Sequence, residues 1–443
     1  MNKFFVLILF LGITIPGICQ DKNVVHLSWK DVVDISKENN LSLKSKILEY
    51  ETQDWEEWKA LSYFLPTFTY QGVATNNLEL PVFVFMGQKF IVGTKYSFQH
   101  SLELSLPIFT GGTRWFNYNI QKNMRKSLSE ELKGKEEEVV LQSLQAYYGV
   151  MLSTSMLKAA EEAYTLAKAN LTQVEKFFEA GTATGLDLQR AKAQYASTQP
   201  AVERAKSGFI LANQQLKFLL NIPLTDSLVV EDSLAEKDFL DDLALSSLDD
   251  FKSFSEQNRA DIKALSYQIK AASEGEKATL GKFAPTIAIS ANVLHQAQIE
   301  NTSVAANDYI RSKGISLALV WPLFEGGRKI IDYQESKLRT QQIELAYEQM
   351  DKKRVLDVEQ SYFSFIETTK NKSSLEEAMS QAKESLRLSN LLYVEGMSTQ
   401  LDVLNAQFAY SQNKVEYLRG IYDFNISQLN LLYSTGLLKT IWK

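Results

Sequence analysis

One cysteine and three histidines in 443 residues leave little room for metal or disulfide chemistry. A single cysteine excludes a disulfide framework, and so few Cys and His side chains exclude a zinc ribbon or any Cys/His cluster. His26, His100 and His295 stand far apart, with no paired ligand spacing between them. Past the N-terminus there is no uninterrupted apolar run of 18 residues, so no transmembrane helix is available. If the chain crosses a membrane, it must do so as a β-barrel. Positive charge is not in excess either. Lys plus Arg number 47 against 53 Asp plus Glu, a net charge of −6, which argues against a nucleic-acid binder. No nucleophile–base pair, phosphate loop or dinucleotide fingerprint stands out, so the expectation is no enzyme, no cofactor and no metal.

What the chain has is an N-terminal address. Lys3 precedes an apolar run from Phe4 to Ile15, too short to span a bilayer but suited to a secretory signal over 1–19. Gly17 and Cys19 stand where cleavage before Gln20 would need small residues. Cleavage there would remove Cys19, and cleavage ahead of it would leave Cys19 free for lipidation.

It also has a long internal repeat. Ser28–Ser45 matches Ser247–Ala264 at an offset of 219, as Phe64-Leu65-Pro66-Thr67 matches Phe283-Ala284-Pro285-Thr286. Pro107 to Gly112 matches Pro322 to Gly327 at 215, and that offset then holds through Tyr147 with Tyr362 and Gly181 with Gly396. The first copy therefore carries four extra residues between Pro66 and Pro107, which predicts an exposed loop there. The organisation expected is a first repeat over 20–220, an acidic segment over 221–250, and a second repeat over 251–443. Each repeat runs helix, strand, loop, strand, Gly-Gly, very long helix, tight turn, helix.

Glycine and proline mark the boundaries. Residues 113–179 and 328–394 contain no proline, the second stretch has no glycine, and both are rich in Ala, Leu, Glu, Gln and Lys. Each predicts one unbroken helix of 67 residues, ~100 Å long at 1.5 Å per residue. Apolar positions such as Leu141, Leu144, Tyr148 and Met151 recur at near-helical spacing, so such helices must pack side by side. Pro200 falls inside the returning helix of the first copy and should kink it. Tyr96 to Leu106 alternates instead with period two: Tyr96, Phe98, His100, Leu102, Leu104 and Leu106 point one way, serines, Gln99 and Glu103 the other. That pattern fits a barrel strand with lipid on one side and water on the other. Residues 287–293 and 315–321 repeat it more weakly, and Thr67–Thr75 is the weakest of the four. Four strands cannot close a barrel, and open edges cannot face lipid, so several chains must pool their strands.

At this point the residues resemble a family. The turns Phe177-Phe-Glu-Ala-Gly181-Thr-Ala-Thr-Gly-Leu-Asp187 and Leu392-Tyr-Val-Glu-Gly396-Met-Ser-Thr-Gln-Leu-Asp402 share a glycine, then Leu-Asp ending six positions on, then Ala191 or Ala406, then Tyr195 or Tyr410. Together with the Pro–Phe–Gly-Gly junctions and the duplication, the whole mature chain resembles the outer membrane efflux protein, or TolC-like, family. The resemblance implies a mainly α fold with a transmembrane β-barrel. A homotrimer would contribute four strands per chain to one barrel and long antiparallel coiled-coil helices to a periplasmic tunnel. It implies a passive exit duct in the Gram-negative outer membrane, docked through a periplasmic adaptor to an inner-membrane pump of the RND or ABC type. The alternative from another class is a periplasmic coiled-coil scaffold or adhesin without transport.

The same resemblance assigns candidate sites. Gly181, Thr182, Ala183, Thr184 and Leu186, with Gly396, Met397, Ser398, Thr399 and Leu401, would form the periplasmic tips that meet the adaptor. Asp187 and Asp402 are helix caps or constriction residues. Asp402 matches the first position of the family's aspartate ring, and Asn405 stands where a second aspartate often occurs, which lowers the expected charge. Pro107, Gly111, Gly112, Pro322, Gly326 and Gly327 form the strand–helix junctions. Leu80 to Gly87, oddly apolar, is expected as the first outer loop.

Overall fold

The computed structural model describes residues 24–442; the signal segment expected over 1–19, with Cys19, lies outside the described residues. The first repeat comprises β1 (Val24–Leu27), α1 (Trp29–Asn39), α2 (Leu41–Ser62), β2 (Thr67–Asn76), β3 (Val82–Phe85), β4 (Gln88–Ile91), β5 (Tyr96–Thr110), α3 (Thr113–Glu179) and α4 (Gly185–Leu219). After β6 (Ser227–Val230) come α5 (Leu248–Asn258), α6 (Ala260–Gly281), β7 (Thr286–Ile299), β8 (Ile310–Val320), α7 (Arg328–Val394) and α8 (Gln400–Ser434). The two long helices span 67 residues each, with the bounds that the missing glycines and prolines suggest. No helix among the described residues is long and apolar enough to cross a membrane.

The chain divides into two compact units, neither of which coincides with a repeat. One takes the chain up to Asn39, Gln142–Glu236 and Ser373–Tyr422; the other takes Asn40–Leu141, Lys237–Lys372 and Asp423–Lys443.

In the first unit β1 pairs in parallel with β6. Tyr147 is fully buried beneath it and donates its hydroxyl to Asp232 at 2.6 Å. Burial first, and then that hydrogen bond, push the phenol pKa upward. The acidic segment is thus anchored to the helix through Asp232. Nearer the hairpin turns, Leu386, Ala406 and Tyr410 form an apolar core with Leu166, Met379 and Ala382 against them. The helix α4 continues through Pro200.

In the second unit the main sheet has the order β2-β5-β7-β8, all antiparallel. The repeat is visible in its register. Thr67 pairs with Ser105 in one hairpin and Thr286 with Val320 in the other, positions related by the offsets 219 and 215. The four extra residues therefore fall between β2 and β5, where the chain builds a small hairpin of β3 and β4 that the sequence reading took as loop. Strand β5 also runs past Pro107 to Thr110, with a register shift between Pro107 and Phe109. A bulge accommodates the missing N–H of proline inside a strand.

Both strand–helix junctions are tied by a cation in the first turn of the long helix. Arg114 donates to the carbonyls of Pro107 and Tyr63 and lies over the Phe64 ring at 5.2 Å. Lys329, its repeat mate, donates to the Pro322 carbonyl at 2.7 Å and lies over Phe283 at 5.9 Å. Gly111 has φ +63°, a conformation that L side chains resist, and a Cβ there would stand 2.0 Å from the Gly281 carbonyl oxygen. Replacing Gly111 by valine should cost about 3 kcal/mol or more through overpacking and backbone strain. The check is a lower thermal unfolding midpoint of the detergent-solubilised protein, by several degrees relative to wild type.

Candidate functional site

The residues that the sequence singles out gather at the two helical-hairpin turns, both within the first unit. Each turn ends its long helix in the same way. Gly181 and Gly396 take φ +76° and +70°. The N–H of Thr182 reaches back to the Phe177 carbonyl at 2.8 Å, and that of Gly181 to Phe178 at 3.0 Å. Met397 to Leu392 at 2.8 Å and Gly396 to Tyr393 at 3.1 Å repeat the pair. These are Schellman bonds, which satisfy the last carbonyls of a helix when the next residue is left-handed.

The returning helices start with reciprocal caps. The Asp187 carboxylate accepts from the Thr184 hydroxyl at 2.6 Å and the Thr184 N–H at 3.1 Å, while the Asp187 N–H donates to the Thr184 hydroxyl oxygen at 3.1 Å. Asp402 does the same with Thr399 at 2.6, 2.9 and 3.3 Å, and takes a further bond from the Ser398 hydroxyl at 3.1 Å. Hydrogen bonds from Thr399, then Ser398, hold the Asp402 carboxyl below the usual carboxylate range. An exposed carboxylate held ionised at a helix start interacts favourably with the positive end of the helix dipole. Asn405, one helical turn on, is exposed as well.

Two things hold the hairpins together near the turns. The rings of Phe177 and Tyr393 meet edge to face at 5.5 Å, and buried Gln400 donates to Asn170 at 2.8 Å. Further back, Glu162 accepts from Tyr410 at 2.9 Å and from Lys414. Burial works against that charge, but the Lys414 and Tyr410 bonds outweigh it and lower the carboxyl pKa. The sequence reading missed this Glu162–Tyr410–Lys414 group and the Tyr393 contact. It found the turns but not their partners, because contacts between residues more than two hundred positions apart leave no local pattern. Leu186, Met397 and Leu401 remain exposed at 59%, 69% and 45%, an unusual concentration of apolar surface for a turn. The junction residues Pro107, Gly111, Gly112, Pro322, Gly326 and Gly327 lie elsewhere, at the sheet end of the second unit.

With this geometry in hand, comparison with known proteins decides the family. The outer membrane efflux protein model matches residues 71–221 and 253–437, both halves of the duplication. The chain belongs to the outer membrane efflux protein family. Among its relatives, the outer membrane protein TolC of Salmonella enteritidis is 22% identical over 349 residues, 76% of this chain and 69% of that protein. The alkaline protease secretion protein AprF of Pseudomonas aeruginosa is 19% identical over 77% of this chain and 70% of its own length. Solved structures share the fold. VceC of Vibrio cholerae superposes with a TM-score of 0.79 at 16% identity, covering 92% of this chain and 96% of the other. The CmeC outer membrane channel of Campylobacter jejuni gives 0.76 at 17% identity, covering 93% and 86%. An outer membrane efflux protein sits in the outer membrane and forms an exit channel rather than an enzyme active site. Among the described residues no group of three or more His, Cys, Asp or Glu is placed to hold a metal.

One titratable group lies apart from the turns. Glu137, on α3 in the second unit, is buried beside a cleft of about 460 Å³ that Lys46, Glu131, Arg259 and Tyr433 also line. Burial pushes its carboxyl up to about 7, despite the counter-pull of Lys439. The folded state therefore holds a proton that the unfolded chain releases near 4.5, so this group's contribution to stability falls as pH rises from about 4.5 to about 7. Glu137→Gln should raise the thermal midpoint at pH 8 and leave it nearly unchanged at pH 4, as read by thermal scans at the two pH values.

Proposed function

We propose that the chain is the homotrimeric exit duct of a tripartite export system, passing substrates passively from a periplasmic adaptor to the cell exterior. The observation that carries this reading is the sheet's pseudo-symmetry. The repeat maps β2 onto β7 and β5 onto β8. The observed β5–β7 pairing then maps onto a pairing of β8 with β2 of another copy. Within one chain β2 and β8 are the free edges, and both are exposed along their whole lengths. A head-to-tail pairing of that kind closes into a ring when the rotation allows. Three copies give twelve strands, enough to close a barrel where four are not.

The register follows from the same mapping. Ser105 pairs with Ser290 inside the chain, so Val320 should face Gln71 of the next copy. Cysteines at Val320 and Gln71 together should cross-link to a trimer on oxidation of intact outer membranes, and neither alone should do so. Monomers under all conditions would sink the trimer.

We assign Gly181 to Leu186 and Gly396 to Leu401 as the surface that meets a helical hairpin of the adaptor, since exposed Leu186, Met397 and Leu401 rise from an otherwise self-satisfied turn. The adaptor in turn couples the duct to an inner-membrane pump of the RND or ABC class. Asp402 serves as cap and as pore charge at once. Three copies of an exposed carboxylate whose pKa is held low form a cation-attracting ring, weakened where Asn405 replaces a second acid. In single-channel recordings Asp402→Arg should reduce cation preference and abolish sensitivity to divalent cations. Unchanged conductance and selectivity would leave Asp402 as a cap alone.

A further inference from the structure

The outward face of the sheet carries a feature that export does not explain. On the four strands the residues sharing the apolar face are Phe68 and Tyr70 on β2, Leu102 and Leu104 on β5, Ile289 and Val293 on β7, and Ile315, Leu317 and Leu319 on β8. Toward the loop end this face changes character. Arg311 pairs with His295, and His295 with His100, so the three stand side by side in one row across β8, β7 and β5. Lys313 follows Arg311 two residues along, opposite Val293. His100 is fixed from both ring nitrogens, by the Tyr70 hydroxyl at 2.8 Å and the Tyr309 hydroxyl at 3.2 Å. Gly72 leaves room for the first of these: a Cβ there would stand 3.3 Å from the Tyr70 oxygen and 3.6 Å from His100 Nδ1. No Asp or Glu occupies this face of the four strands, and neither Arg311 nor Lys313 joins an ion pair among the described residues.

The height of this row can be read from the chain. Trp321, 55% exposed, directly follows β8 at its helical end, and Tyr63 and Trp115 stand beside the neighbouring junction at 61% and 56%. Aromatic side chains of this kind mark the membrane–water boundary of outer-membrane barrels. From Trp321 to Arg311 is ten residues, ~33 Å along a strand. At a tilt of about 40° that becomes ~25 Å across the membrane, the thickness of an outer-membrane apolar band. The helices of this family extend into the periplasm, so the Arg311 row lies at the headgroups of the outer leaflet. Charge is tolerated at that depth, but positive charge there without any acidic partner calls for an anion from the lipid itself.

We propose that Arg311 and Lys313, with His295 and His100 beside them, form a binding site for a phosphorylated headgroup of an outer-leaflet lipid. Arg311 offers the planar donor fork that matches phosphate oxygens, and Lys313 a point charge one pleat away. The tyrosine-clamped imidazole of His100 and its neighbour His295 form the floor of the row. The acyl chains then lie on the leucine and isoleucine rows below. The inference rests on the outer-membrane placement of the sheet.

The test is native mass spectrometry of the purified protein in detergent, titrated with bisphosphorylated lipid A. Wild type should retain the lipid, and Arg311→Gln with Lys313→Gln should weaken it by about tenfold or more. The exchange R311K with K313R should keep it. Wild type titrated with fully dephosphorylated lipid A needs no variant and should bind about tenfold more weakly than the phosphorylated form. Equal binding of the two lipids, or of wild type and the double Gln variant, overturns the site. Displacement of lipid A by millimolar inorganic phosphate overturns it too, since the row would then be a free-anion site. Conductance of the Gln variant in planar bilayers should match wild type, so loss of lipid with conductance intact bears on the site alone, whereas a wild type that conducts nothing defeats the duct reading instead.

Discussion

A strand edge cannot be left in hydrocarbon. Each unpaired N–H and C=O facing lipid costs several kcal/mol, and no water is there to take its place. In this chain β2 and β8 bring ten and eleven residues of such edge to the sheet. The rest of the architecture follows from disposing of them. In the proposed trimer the duplication supplies the solution, because the interface that joins the two halves within a chain would be repeated between the free edges of neighbouring copies. The same surface can therefore join one chain to the next without a second invention.

The duplication is close but not uniform. Gly111 is pressed against Gly281, whereas its mate Gly326 has open space around it in a single chain. By the repeat, Gly326 would face Ser62 of a neighbouring copy in the proposed trimer. The extra hairpin of β3 and β4 occurs only in the first half. At the turns the backbone is the same twice over, but Ser398 gives Asp402 a donor that Asp187 lacks, its counterpart being Ala183.

Much of this was legible from the residues alone, for definite reasons. The 67-residue helices were bounded correctly because glycine and proline act locally, at the positions they occupy. The turns were legible because a left-handed glycine and a capping Thr-x-x-Asp lie within a few residues of each other. What stayed hidden depends on register. His100 and His295 looked scattered because strand pairing, not sequence spacing, makes them neighbours. The four-residue strands β1 and β6 are too short to show a period and exist through each other and the tyrosine beneath them. Pro107 looked like a strand end, since nothing in the sequence signals a bulge that lets a strand run on.

The hairpin turns have one more consequence. The hydrogen bonds that close and cap the first turn, from the Phe177 carbonyl to the Thr184–Asp187 pair, join residues of that same short stretch, and those of the second turn do likewise. Such a turn is a cassette. Its exposed side chains can change without disturbing the caps that hold it, so that, if the turn is the docking surface proposed above, the choice of partner could drift while the fold stayed fixed.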